Sequence, residues 1–597
     1  MTNFITKCLL SYKSLSWGIK QLIIAAPLEV PILFIFVLFQ GLIPATSLYA
    51  IQSIVQWISS TTAAFPFLFV SLWGSMLLAD TILSPIIAIL RLHLNEKILA
   101  HCNILLMEKA NTIQGLEPFE NSKFYDEIQF LKNESSRRPL NFVYVLTGFT
   151  KEVVTLISIF LVLSSIEWWI PIGILIAATP HAISTLWFEK QAWDQMLFRS
   201  PESRKLAWVS SVTLDERVAK EVRLFGFGSF LVERYKELMK TMQEALSKER
   251  FKKSAFSVFL SSLTVLGNIL IMCTVLLRAK IGALQIGSLV IAIQALVMIQ
   301  AQLSASISYI GMMAPILLFF EKLRLFLSKV ACSISSHKST HIPHTFREIR
   351  FEEVSFSYPD GRQALSKVSF TLRNGEKLAL VGENGAGKTT LIKLLLRFYD
   401  PSSGRITVDG EDLKNLDVTS WRQLFSGVFQ DFGHYHFTVG ENIALGNLKA
   451  PWTGVSLAVH KGGFSSVVDR LPAGFNSLLG KEFGGTSLSG GEWQKLAMSR
   501  AFFRQATLLV LDEPTAALDP QSESEIFKIF SEQSQGKTTL LITHRLGSIK
   551  MVDRILVFKE GCLVEEGSHE ELLLAKGIYS TLFSIQANQY NSMCGFS

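Results

Sequence analysis

Apolar and polar positions alternate with two different periods along this chain of 597 residues. Between Leu28 and Ser306 apolar residues come in blocks of about 20, the length at which a helix crosses roughly 30 Å of hydrocarbon. Six spans are expected, near Leu28 to Ile54, Phe65 to Leu90, Phe142 to Ile166, Trp168 to Phe188, Ala255 to Leu277 and Ile281 to Ser306. From Cys332 to Phe346 the chain turns rich in Ser, His and Thr and reads as a linker. Beyond it, short strand-like runs near Ile349 to Tyr358, Val368 to Leu372, Lys377 to Val381 and Leu508 to Asp512 alternate with helical ones. The expected fold is a multi-domain membrane protein. An all-α transmembrane domain of about six helices with long cytoplasmic extensions fills 1–330, a linker 331–346, and an α/β nucleotide domain 347–597.

Composition agrees, since 49% of residues are hydrophobic and only 18% charged. The net charge of +7 raises the possibility of nucleic acid, but no dense Lys/Arg patch with interleaved aromatics occurs, so nucleic acid is excluded as a partner. The basic residues flank the apolar blocks instead. Arg91 to Asn141 and Glu189 to Ser254, the two long polar stretches, hold Lys97, Lys109, Arg137, Arg138, Lys190, Arg204, Lys205 and Arg223, which places them in the cytoplasm. Lys7, Lys13 and Lys20 agree, whereas Arg278 and Lys280 run against the rule. The expected location is therefore the cytoplasmic membrane, crossed several times, with the nucleotide domain inside the cell. Both stretches keep a helical period, so the spans should continue well beyond the bilayer.

The first apolar block is too long for a cleaved signal and reads as an anchor. Six dispersed cysteines suggest reduced thiols, the Asn133 sequon lies on the cytoplasmic side, and Cys594 lacks the aliphatic pair of a prenylation box. His337, His341 and His344 lack a carboxylate or thiolate framework and read as solvated linker.

The chemistry is concentrated in three motifs. Gly382, Glu383, Asn384, Gly385, Ala386, Gly387, Lys388 and Thr389 spell GENGAGKT between a strand-like and a helical run, with Thr390 next. Such a turn aims backbone N–H groups and a helix N-terminus at one point, where polyphosphate oxygens sit. Lys388 should reach the outer phosphates of ATP, and Thr389 should ligate Mg²⁺. The second motif is the apolar run ending in Asp512 and Glu513, with Asp512 expected on Mg²⁺ and Glu513 as general base toward water. The third is Leu488-Ser489-Gly490-Gly491-Glu492, a Gly-rich turn entering a helix that runs through Gln494 to Phe503. Asp431-Phe432-Gly433 spells a kinase triplet in the wrong order and spacing, and is set aside.

With these residues the chain resembles an ABC transporter over essentially its whole length. That resemblance implies that Ser489, Gly490, Gly491 and Glu492 of one copy cap ATP held by the phosphate loop of another, Glu492 standing where the family has Gln. It further implies that Tyr358 stacks on adenine, Gln430 meets Mg²⁺ or water, Asp519 communicates across a dimer, His544 contacts the γ-phosphate and Glu482 belongs to a loop sensing the membrane domain. Glu117 to Ile128 and Leu214 to Phe225 resemble coupling helices of exporters.

The implied activity is ATP hydrolysis driving alternating access. The implied partners are a second copy or a related half-transporter, a cargo and the lipid bilayer. VFQDFGHYHFTVGENI and SPESRKLAWVSSVTLDERVAKEVRLFGFGSFLVERY resemble exporters of lantibiotics and other small modified peptides. Multidrug or lipid export is the alternative, and an ATP-gated channel or regulatory subunit a further one.

Overall fold

A computed structural model describes residues 2–58, 65–180, 182, 201–215, 218–282, 284–329, 345–513, 520–543, 549 and 551–585. Asp519, His544, the three linker histidines and Cys594 lie outside them. Two compact units emerge, one of residues 1–110 and 127–329, the other of 111–126 and 330–597. The second takes its first 16 residues from the long polar stretch after the second apolar block.

In the first unit, five helices among the described residues are long and apolar enough to cross a membrane: Glu29–Ile58, Phe67–Asn111, Arg138–Ser164, Ser254–Lys280 and Ile286–Ser328. Trp169–Pro180 begins the remaining expected span, whose later residues lie mostly outside the described ones. The polar extensions are helical as the periodicity required. Phe67–Asn111 has 45 residues and Gly228–Lys280 has 53, roughly 68 and 80 Å at 1.5 Å per residue, well over a bilayer. The last span starts later than expected, at Ile286, after a turn in which Gly282 has φ +78°. A helix over Thr2–Ala25 precedes the first span, an element the apolar blocks did not announce.

These helices pack through small residues, since lipid offers no hydrophobic gain for burying large ones. A Cβ on Gly41 would stand 2.8 Å from Val154, and the Thr155 hydroxyl donates across the same contact to the Gly41 carbonyl at 3.0 Å. The core runs from Ala45 and Leu48 through Ile159 and Leu163 to Ile291 and Ala295.

In the second unit, strands β1 (Glu348–Ser357), β2 (Gln363–Arg373), β4 (Ser403–Val408) and β5 (Glu411–Asp412) form an antiparallel sheet in the order β2-β1-β4-β5. The main sheet runs β10-β9-β3-β8-β7-β6, from β10 (Cys562–Gly567), β9 (Arg554–Lys559), β3 (Lys377–Gly382), β8 (Thr538–Ile542) and β7 (Leu508–Asp512) to β6 (Phe425–Val428). β9, β3, β8, β7 and β6 are parallel, and β10 is antiparallel. β3 reads as a continuous apolar run because both its faces are covered. Leu378 and Leu380 join the core containing Leu391 and Leu395, while Ala379 and Val381 face Ile549, Val557 and Tyr579. A separate helical core holds Val439, Phe464, Leu496 and Phe503.

Trp421 anchors the larger core. It is fully buried, and its indole N–H donates to the Leu395 carbonyl at 2.8 Å. Trp421→Ala is expected to cost about 4 kcal/mol, from the cavity and the orphaned carbonyl together. Chemical denaturation followed by fluorescence checks this, with a clear fall in the midpoint expected.

Candidate functional site

The parallel pairing brings the expected chemistry to one edge. Leu380 on β3 and Asp512 on β7 both lie opposite Ile542 on β8, and Val428 on β6 lies opposite Leu511. The phosphate loop, Asp512, Glu513 and the exposed Gln430 therefore all leave the sheet on the same side. The chain leaving β8 emerges between the loop and Asp512.

Around the loop, glycine is required by space as much as by turn geometry. Gly387 precedes the helix Lys388–Leu395 at φ +99°, and a Cβ there would lie 2.6 Å from the Ala364 carbonyl. Gly382 is tighter, with its Cβ position 2.2 Å from the Phe558 carbonyl. Gly385 faces open space and serves only its φ of +84°. Glu383, Asn384 and Gly385 are exposed, Ala386 is buried, and Thr390 is buried behind the loop.

Lys388 is 5% exposed and donates to the carbonyls of Gly382 and Glu383 at 2.6 and 2.8 Å. Burial pulls its ammonium below the usual lysine range, against Glu513 and Asp512, which raise it. The lysine is thus folded over the cradle it should serve. Anionic oxygens entering the loop give it better acceptors than two neutral carbonyls.

Asp512 is 2% exposed, and burial lifts its carboxyl to about 6. The Thr389 hydroxyl and Lys388 pull it down, whereas Glu513 and Asp431 push it up. A buried carboxylate that already bonds Thr389 is an all-oxygen donor set of the kind a hard divalent cation takes. Asp431 belongs to the triplet set aside from the sequence; only the fold shows that its charge reaches Asp512. Glu513 sits at φ +47°, its N–H donating to the Ile542 carbonyl at 3.0 Å. That left-handed turn costs about 1 kcal/mol and swings the side chain off the strand line.

Tyr358 packs on the core beside Phe356 and Tyr399, and its hydroxyl shares a 3.0 Å bond with Thr390. Arg362 and Lys393 lie over its ring at 4.9 and 5.3 Å. Lys393 also meets Glu120 at 3.4 Å, on the short helix Glu117–Glu120. That helix is held by backbone as well. Leu116 donates to the Phe398 carbonyl at 3.1 Å, and Arg422 donates to the carbonyls of Gln114, Leu396 and Arg397. One of the two expected coupling segments is therefore part of the nucleotide unit itself. The other is the helix Ala219–Leu224, with Leu214, Leu224 and Phe225 strongly exposed at its ends.

Ser489 and Glu492 open the helix Gly490–Phe503 as a capping box. The Ser489 oxygen accepts from the Glu492 N–H, and the Glu492 carboxylate accepts from the Ser489 N–H at 2.8 Å and from the Ser489 hydroxyl. Burial raises the Glu492 carboxyl, but Ser489 and Arg470 together hold it below the usual range. Ser489 and Gly490 are exposed, Gly491 half-buried. Glu482 lies in a single exposed turn, Lys481–Phe483.

Three residues that the motifs did not reveal tie this helix to the loop after Gln430. His434 stacks on Trp493 with centroids 4.5 Å apart and planes 7° from parallel. Arg500 donates to the Asn442 carbonyl and side chain at 3.0 Å and covers the Tyr435 ring at 4.6 Å. Nothing in the local sequence named their partners.

Residues 365–516 match the family model described as ABC transporter. The chain is 29% identical over 565 residues to the subtilin transport ATP-binding protein SpaT of Bacillus subtilis, covering 92% of this chain and 90% of that one. It is also 29% identical over 501 residues to the nisin transport ATP-binding protein NisT of Lactococcus lactis subsp. lactis, covering 81% of each. In fold it is similar to the structure of a bacterial Atm1-family ABC exporter with ATP bound, with TM-score 0.75 and 24% identity, covering 94% of this chain and 98% of that one.

Glu492→Gln keeps the acceptor for the Ser489 N–H and loses only a pair with the exposed Arg470, so the melting temperature should move by no more than about 2 °C. Ser489→Ala removes the cap and is expected to cost about 1 kcal/mol. Calorimetry of the two variants side by side checks the ordering.

Proposed function

We propose, from the premise that this chain is an ABC transporter of the exporter type that couples ATP hydrolysis to export through a multi-pass membrane domain, that its cargo is a small modified peptide moved out across the cytoplasmic membrane. The observation that carries the cargo reading is a likeness running through the membrane unit as well as the nucleotide unit. The relatives that share 81% or more of this chain are transport proteins for subtilin and nisin, which are lantibiotic peptides.

In the reading we favour, two copies act together and the nucleotide unit faces the cytoplasm. Lys388 and the amides of Gly382 to Thr389 hold the phosphates of ATP, and Tyr358 lies against the base. Thr389, Asp512 and Gln430 would hold Mg²⁺, which neutralises phosphate charge during transfer. Glu513 takes the proton of the attacking water and His544 steadies the γ-phosphate. Ser489, Gly490, Gly491 and Glu492 of the second copy close over it, the exposed Ser489 hydroxyl turning from Glu492 to the phosphate.

Two facts support pairing. The Ser489 turn is exposed in a single copy, and Leu214, Leu224 and Phe225 are exposed apolar residues that a partner would cover. Glu120, on the helix Glu117–Glu120, meets Lys393 on the helix that begins at Lys388.

Lys388→Ala is expected to lower ATP hydrolysis in nanodiscs by at least a hundredfold. Glu513→Gln should still bind ATP and accumulate closed dimers, visible by crosslinking or cryo-microscopy; hydrolysis near the normal rate in either variant overturns the assignment. ATP-driven uptake of a labelled lantibiotic precursor into inverted vesicles tests the cargo, and uptake independent of ATP, or none, rejects it.

A further inference from the structure

Charge inside a bilayer is costly, so an ionisable side chain in mid-span needs a partner. Asp80 has one, because Gln40 donates to its carboxylate at 2.9 Å. Glu152 does not. It lies 12 residues from the Ser164 end of the helix Arg138–Ser164, roughly 18 Å along the axis and close to the middle of the bilayer. One of its carboxylate oxygens is buried with no hydrogen-bond partner.

The same face of the helix is aromatic in the turns before it. Tyr144, Gly148 and Glu152 recur every four residues and share one face of the helix. Tyr309 of the helix Ile286–Ser328 packs its hydroxyl end on Gly148, where a Cβ would meet Cζ at 2.3 Å, and its ring centroid is 5.9 Å from that of Tyr144. Arg91 covers Tyr144 at 5.6 Å and is itself buried at Nε without an acceptor. Tyr144 stands eight residues, roughly 12 Å, from Glu152 along the axis, so Arg91 is placed at the far end of this face. Lys151 precedes Glu152 directly in sequence; its charge reaches the carboxylate, but it donates no hydrogen bond to the buried oxygen.

We infer that Glu152, one helical turn from Gly148 where Tyr309 packs, is a binding site in the membrane unit for a cationic group of the cargo, an ammonium or guanidinium carried on a peptide. A carboxylate supplies the charge and the Tyr309 ring a π-face, a combination that a desolvated cation prefers to either alone. The inference rests on the reading of the chain as a peptide exporter and adds to it what the site selects.

The test uses the full-length protein in phosphatidylcholine nanodiscs and two fluorescent amphipathic peptides, one of Leu and Lys, the other identical but with every Lys acetylated. Acetylation is expected to weaken binding at least tenfold in the native protein. Glu152→Gln should reduce that ratio to within twofold, and Glu152→Asp should restore most of it. Equal binding of the two peptides by the native protein, or an unchanged tenfold ratio in Glu152→Gln, overturns the site. Inverted vesicles separate this from the export reading: equal ATP-driven uptake of both peptides keeps export and rejects Glu152, whereas uptake of neither, with the binding ratio intact, keeps the site and rejects peptide export.

Discussion

The register of three parallel strands governs this protein's chemistry. Because Ile542 lies opposite both Leu380 and Asp512, the turn after β3 and the acid ending β7 are held two strands apart on one edge. A slip of one residue would turn Asp512 to the other face of the sheet and part it from Thr389. The sheet is pinned against such a slip by burial on both faces, from Leu378 and Leu380 on one side and Ala379 and Val381 on the other. The hydrophobic core and the polyphosphate cradle are thus one design problem, solved by the same strand.

Within that frame the charges are poised by what they lack. Lys388 occupies two loop carbonyls, and Asp512 is pushed up to about 6 by burial. Each is an unfavourable arrangement that a phosphate chain and a hard cation relieve together. The capping box at Ser489 is satisfied from within, its oxygen accepting from the Glu492 N–H and its hydroxyl meeting the Glu492 carboxylate. Arg500 and the stack of His434 on Trp493 extend that helix's influence to the segment after Gln430, so the two parts respond as one body.

The membrane unit obeys a different rule. Gly41, Gly148 and Thr155 bring helices close where lipid provides no drive, and Gln40 bonds the Asp80 carboxylate. Glu152, an acid with one oxygen buried and unbonded, is the candidate point of contact with cargo.

The sequence alone marked out the candidate residues for nucleotide chemistry, since GENGAGKT, the apolar run into Asp512-Glu513 and the Ser489 turn are local signals whose reading depends on a few neighbouring positions. It also determined the apolar spans and their helical extensions, because period and length are written into the chain. Tertiary structure decided the rest. It drew Glu117–Glu120 into the nucleotide unit through Leu116 and Arg422, brought Asp431 within reach of Asp512, and left the Glu152 oxygen buried without a partner. Those facts depend on pairs distant in sequence, and a one-dimensional pattern records which residues are apolar or charged without recording whom they meet.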